Sequence, residues 1–201
     1  MLRPAGTPHI KWISKPFPRS SLQPRPWLRR TIKLRIAADA GRSFLPITHR
    51  DLERLAALAD ADRRDFFARK PIAGRLYASR LFAVALCQGA ALHYVDRKNG
   101  VKDFDVWSFY VQHPQREFPP RRIACTDFGD PKFGTSDDKP RFVGRRVDLI
   151  GRSIRGADRR DPVKTLRRYL RSGTTLSARR LAQKAVVLIE PARLRGTIVW
   201  P

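Results

Sequence analysis

The chain has 201 residues, with 42 lysines and arginines against 18 acids and a net charge of +24. Two cysteines, Cys87 and Cys125, exclude a disulfide framework, and no run approaches the roughly 18 consecutive apolar residues of a membrane span. With no apolar leader at the N-terminus, the expectation is a cytoplasmic protein with no membrane partner.

The positive charge lies at the ends. Residues 1–43 hold 10 basic residues and one acid, and residues 151–201 hold 13 basic residues and three acids. The intervening stretch is nearly balanced. A chain this basic fits a polyanionic partner, and basic charge supplies affinity without sequence selection.

Residues 1–35 carry Pro4, Pro8, Pro16, Pro18, Pro24 and Pro26, a spacing that denies helix and sheet their hydrogen bonds. We read 1–43 as a flexible basic arm, with Trp12, Phe17 and Trp27 as anchors or base-stacking groups, and 44–201 as the folded domain. Thr48 predicts a capped helix through His49 to Leu55 and beyond, with Leu52, Leu55, Ala56 and Ala59 as its apolar stripe. A second helical piece is predicted over Asp62 to Arg69. Arg80 to Gln88 reads as a buried strand, and Cys87 within it as a small hydrophobe. One or two helical turns follow, then the loop Lys98-Asn99-Gly100, then a strand from Val101 to Val111.

Residues 112–140 form a proline-rich loop with a possible strand at Arg122–Cys125, and loops of this length are often functional or mobile. Asp127 and Asp130 have the character of turn residues. Phe142 to Ile150 is predicted as a third strand. Asp161-Pro162 starts a helix to Arg171, and Ser177 caps a last helix, Ala178 to Ile189, stopped by Pro191. The fold class predicted is α/β (α+β), a small mixed sheet flanked by helices.

Three acids sit inside apolar strand patterns: Asp103, Asp105 and Asp148. A period of two puts Asp103 and Asp105 on one side of their strand. A buried carboxylate is costly unless it is paired, hydrogen-bonded or bound to metal. Taken singly, each is explained by a salt bridge to one of many arginines. His93 is expected to be a surface or packed histidine on a short helix, with lining the site as the lesser alternative. The scattered histidines and distant cysteines give no zinc spacing, and there is no phosphate-binding loop, dinucleotide fingerprint or nucleophile elbow.

The order of Gly89-Ala90 after a strand, then Asp103-Phe104-Asp105, then Asp148 on a later strand resembles the nucleotidyltransferase superfamily of the polymerase-beta type. The resemblance covers about residues 78–152, and departs from the family in having Ala90 where Ser or Gly is usual. It implies Mg²⁺ or Mn²⁺ held by Asp103, Asp105 and Asp148, with Asp148 also as base for the acceptor hydroxyl. It implies NTP phosphates held by the amides of Gly89 and Ala90, with Lys98 or Arg145 as sources of positive charge, since Lys102 alternates away from the acids. The implied activity moves a nucleoside monophosphate from an NTP to an acceptor. With this charge, RNA such as tRNA is favoured over DNA, while a protein or small-molecule acceptor stays open. The alternatives are a non-catalytic nucleic-acid-binding protein on the same scaffold and a metal-dependent nuclease. By analogy of fold, an antitoxin-type protein partner is also an expectation.

Overall fold

The computed structural model describes residues 41–119 and 123–201. The chain divides into two units, Met1–Ala38 and Asp39–Pro201, and the architecture below is that of the second. The expectations for the arm up to residue 40, and for Arg122, lie outside the described residues. Ser43, expected at the end of the arm, pairs as a β-bridge with Val101.

The first helix, α1, spans His49–Arg69. Thr48 closes a capping box: its hydroxyl accepts from the Asp51 amide at 3.4 Å, and Asp51 Oδ2 accepts from the Thr48 amide at 2.7 Å. The two helical pieces expected here are one continuous helix, because no residue between them breaks the 3.6-residue pattern. A short helix, α2 (Pro71–Tyr77), follows with proline in its first turn. Strand β1 (Leu81–Cys87) runs into α3 (Gln88–Asp96), and β2 (Phe104–Val111) comes next. Then come β3 (Ile123–Asp127), β4 (Arg146–Ile154), α4 (Pro162–Ser172), α5 (Leu176–Leu181), β5 (Ala185–Glu190) and β6 (Ile198–Trp200).

The strands form one mixed sheet in the order β3-β4-β2-β1-β5-β6, as the expected α+β class requires. Strands β2 and β4 are parallel, and the other neighbours are antiparallel. Both faces are covered. Val84, Leu86, Phe104, Val106 and Val187 pack with α1 and α3 on one side. Ala83, Ala85, Cys87, Phe109 and Leu188 pack with α4 and α5 on the other. Double-sided burial is why β1 and β5 read as uninterrupted apolar runs.

Two predicted elements are corrected. The strand expected at Phe142 to Ile150 begins at Arg146 and continues to Ile154. Val143 and Gly144 instead donate their amides to the Asp127 carboxylate, at 2.6 and 2.9 Å, so they turn rather than join the ladder. The helix expected at Ala178 to Ile189 is a single short helix, α5, capped by Thr175 and not Ser177, followed by strand β5. Ala185 to Ile189 is fully buried between β1 and β6. A short β-branched run fits a central strand as well as a buried helix, and only the partner strands decide.

The long loop after β2 is pinned to the domain rather than loose. Arg54 donates to the carbonyls of Phe128 and Gly129 at 2.5 and 2.7 Å, and Lys132 pairs with Asp51 at 2.5 Å. Arg145, 6% exposed, donates to the carbonyls of Phe133 and Thr135, both at 2.6 Å. Asp127 and Asp130 are turn residues as expected. Gly144 is the tightest point of this arrangement: an added Cβ would lie 2.4 Å from the backbone carbonyl oxygen of Asp130. Because backbone cannot swing aside, Gly144→Ala is expected to cost about 1–3 kcal/mol, read as a lower midpoint in urea unfolding with an unchanged slope.

Candidate active site

The site is built where β1 ends and α3 begins. Gln88, not Gly89, takes the left-handed turn, with φ 61, and is held there by a β-bridge to Ala185. A non-glycine residue in this region is strained, and such strain collects at binding and catalytic turns. The α3 N-terminus has no side-chain cap, so its first amides are free to meet an anion. An added Cβ at Gly89 would meet nothing within 4 Å. Neither packing nor backbone angle therefore demands glycine there, and the bare backbone leaves open space at the turn. Ala90, 1% exposed, packs into the main core. Its methyl group therefore faces the core, and it offers the site its backbone.

A cleft of about 290 Å³ opens at this turn, lined by Gln88, Gly89, Ala90, Asp103, Asp105 and the cations Arg42, Lys102 and Lys184. Four of the five expected site residues thus share one cleft. Asp148 does not line it. Asp105 lies inside β2, while Asp103 precedes the strand. In the parallel ladder Asp105 stands directly opposite Asp148. Asp148 is engaged: Arg146 Nε and Nη2 donate to its two carboxylate oxygens at 2.9 and 2.6 Å, and Arg146 also pairs with Asp138.

The carboxylates of Asp103 and Asp105 accept no hydrogen bond among the described residues, in contrast to those of Asp51, Asp127 and Asp148. Burial, then the charges of Asp103 and Asp148, push the Asp105 carboxyl up to about 7, against the opposing pull of Lys184 and Arg146. A half-buried carboxylate with acids beside it and no donor is suited to a cation. Mg²⁺ keeps several waters and takes one or two protein carboxylates, which Asp103 and Asp105 fit. Among the described residues no group of three His, Cys, Asp or Glu side chains stands close enough to hold a metal. The cleft thus holds two of the three expected acids, Asp103 and Asp105.

No family model matches the chain, and neither a curated protein nor a solved structure gives a match.

Arg145 and Lys98, expected near a triphosphate, are not in the cleft: Arg145 is consumed by loop carbonyls and Lys98 is exposed. Lys102 and Lys184 supply the charge instead. Lys102 was expected to alternate away, but it precedes the start of β2, so strand alternation does not apply to it. Lys184 was read as one side of a helix, and the strand β5 beside β1 brings it to Asp105. His93 is fully buried: its Nδ1 accepts from the Gly100 amide at 3.1 Å, so its Nε2 donates to the Leu45 carbonyl at 3.1 Å. It anchors the loop that leads to Asp103 and does not line the site. Among the described residues no helix is long and apolar enough to cross a membrane.

The raised pKa of Asp105 has a measurable sign. An unfolded aspartate titrates near 3.9, so the native state binds the extra proton between about pH 4 and 7. Stability therefore falls as pH rises through that window and the penalty is complete above it. Asp105→Asn is expected to raise the melting temperature at pH 8 by about 5–10 °C, from roughly 2–4 kcal/mol, and to leave it unchanged at pH 4. Thermal unfolding followed by circular dichroism at both pH values checks this.

Proposed function

We propose that the chain is a metal-dependent nucleotidyltransferase, moving a nucleoside monophosphate from an NTP to an acceptor hydroxyl, with RNA such as tRNA favoured. One observation carries the reading: the two unpartnered acids Asp103 and Asp105 share a cleft with an uncapped helix start and three cations. An anion–cation–anion arrangement of this kind suits a triphosphate that arrives with a divalent ion.

Asp103 and Asp105 would hold Mg²⁺ or Mn²⁺, which when bound offsets triphosphate charge and polarises the α-phosphorus. The amides of Gly89 and Ala90 would receive phosphate oxygens, and the open space at Gly89 admits them without a clash. Lys102 and Lys184 would bind the β- and γ-phosphates as point charges. Asp148, held by Arg146 outside the cleft, is not placed to act as the expected base, so the proton of the acceptor hydroxyl would leave to solvent as its oxygen bonds to the α-phosphorus. The bond from the α-phosphorus to the bridging oxygen breaks and pyrophosphate leaves. In-line displacement needs only positioning and charge, which the cleft supplies.

A second reading, a nucleic-acid-binding protein without catalysis, is favoured by one specific observation: Arg146 occupies both oxygens of Asp148. Incubation with Mg²⁺, each α-labelled NTP and bulk RNA separates the two. Label transfer to RNA, lost at least a hundredfold in Asp103→Ala and Asp105→Ala, is the expected result. Full transfer by either variant would remove the metal assignment, shortened RNA would indicate a nuclease, and binding with no turnover would leave the second reading. Gly89→Val is expected to fold with an unchanged melting temperature and to bind NTP at least tenfold more weakly by calorimetry, because its side chain fills the space that phosphate needs.

A further inference from the structure

The cleft is one end of something larger. Gln88 and Asp105 also line a cavity of about 830 Å³ that runs between the outer halves of β2 and β4 and the α4–α5 pair. Arg168 and Ser172 in turn belong both to that cavity and to a third concavity of about 720 Å³ along α4, which carries Lys164, Arg167 and Arg171. Through these shared wall residues the three concavities adjoin in a row, with Asp103 and Asp105 at one end and the basic face of α4 at the other.

The middle section has a definite chemistry. Arg152, Arg155, Arg168 and Arg180 line it, together with the partly buried ring of Trp107; Tyr169 also borders it, but its ring packs in the core against Phe109, and the acids are Asp105 and Glu117. Trp107 Nε1 and Arg152 Nε are enclosed and have no hydrogen-bond partner among the described residues. Buried donors without acceptors are rare in native folds and call for an explanation. Both belong to residues of the groove wall, but the atoms themselves are enclosed and not open to a ligand lying there.

We propose that this groove is the seat of single-stranded RNA, with its free 3′ end at Asp105 and its 5′ side along α4. The placement of the end rests on the transferase reading, and the choice of ligand does not. Guanidiniums spaced along a groove track successive phosphates, and aromatic faces among them stack unpaired bases. A duplex hides its bases from Trp107, and an acidic peptide offers that ring no flat partner. The short chain segment that joins cleft and cavity is Asp105 itself, so an acceptor lying in the groove delivers its terminal hydroxyl to the cleft.

The test uses the full chain and a 12-nucleotide, 5′-labelled RNA, followed by fluorescence anisotropy, with DNA of the same sequence, an RNA duplex and polyglutamate as competitors. The exposed groove residues Arg155 and Arg180 are replaced together by alanine, and the exposed Arg75 and Arg193, outside the groove, form a double variant of equal charge loss. The groove pair should weaken binding at least tenfold and reduce the slope of log affinity against log salt by about 1.4, from about 0.7 for each lost phosphate contact. The control pair should change affinity twofold or less. Trp107→Phe should abolish most of the tryptophan quenching that RNA causes. Equal losses in both pairs, or competition by polyglutamate or duplex as strong as by RNA, would overturn the proposal, and tighter binding of DNA would reassign the groove to DNA. Groove-dependent binding without label transfer from any NTP removes the transferase reading and keeps the groove. Transfer that survives the Arg155/Arg180 double variant unchanged removes the groove and keeps the transferase.

Discussion

The parallel pairing of β2 with β4 is the constraint on which the rest depends. Its register sets Phe104 against Val147 and runs unbroken to Val111 against Ile154, with Asp105 opposite Asp148. Because side chains alternate with period two, a slip of one residue would turn Phe104 and Val106 out of the core and Asp105 into it. The apolar residues on the α1 side therefore hold the acids on the other side in place. The stack of Phe104 on Phe128, at 4.9 Å between ring centroids, and the T-shaped contact of Phe104 with Phe133 fix the start of β2, one residue after Asp103.

Two acids on adjacent strands repel, and the fold resolves this unequally. Asp148 receives the planar fork of Arg146, the geometry in which a guanidinium binds a carboxylate most strongly. Asp105 receives no donor among the described residues, and burial with acids beside it pushes its carboxyl up to about 7. The asymmetry converts a symmetrical pair in the ladder into one fixed carboxylate and one available carboxylate. Lys184, Lys102 and Arg42 then surround the available one without hydrogen-bonding to it, a field that attracts an anion while leaving the acid open to a cation.

Much of the fold was legible. Thr48, the Asp161-Pro162 start, the apolar run into Gly89 and the turn at Asp127 each carry a local signal whose chemistry acts over a few residues. His93 reads as a surface or packed residue of a short helix, and the structure decides for the packed one. The failures share a cause. Val143 and Gly144 look like strand until the Asp127 carboxylate, 16 and 17 residues earlier, takes their amides. The run from Ala185 to Ile189 looks like helix until β1 and β6 are placed beside it. In both, the deciding partner is far along the chain, where periodicity carries no information.

The same division runs through the site. The sequence by itself determined that Asp103, Asp105 and Asp148 lie among apolar neighbours, that Gly89 opens a helix, and that the chain is far too basic to ignore polyanions. Those are properties of residue type and short spacing. Period two places Arg146 on the same side of β4 as Asp148, but only the tertiary structure decided that this arginine takes both carboxylate oxygens and also pairs with Asp138, while Asp103 and Asp105 accept no hydrogen bond among the described residues. It also decided that Gln88 rather than Gly89 carries the strained turn, that Lys184 rather than Arg145 stands by Asp105, and that the cleft continues as a groove to α4. Each of these depends on β5 and β4 being laid beside β1 and β2, and strand order is set by burial of whole faces rather than by any local stretch of sequence.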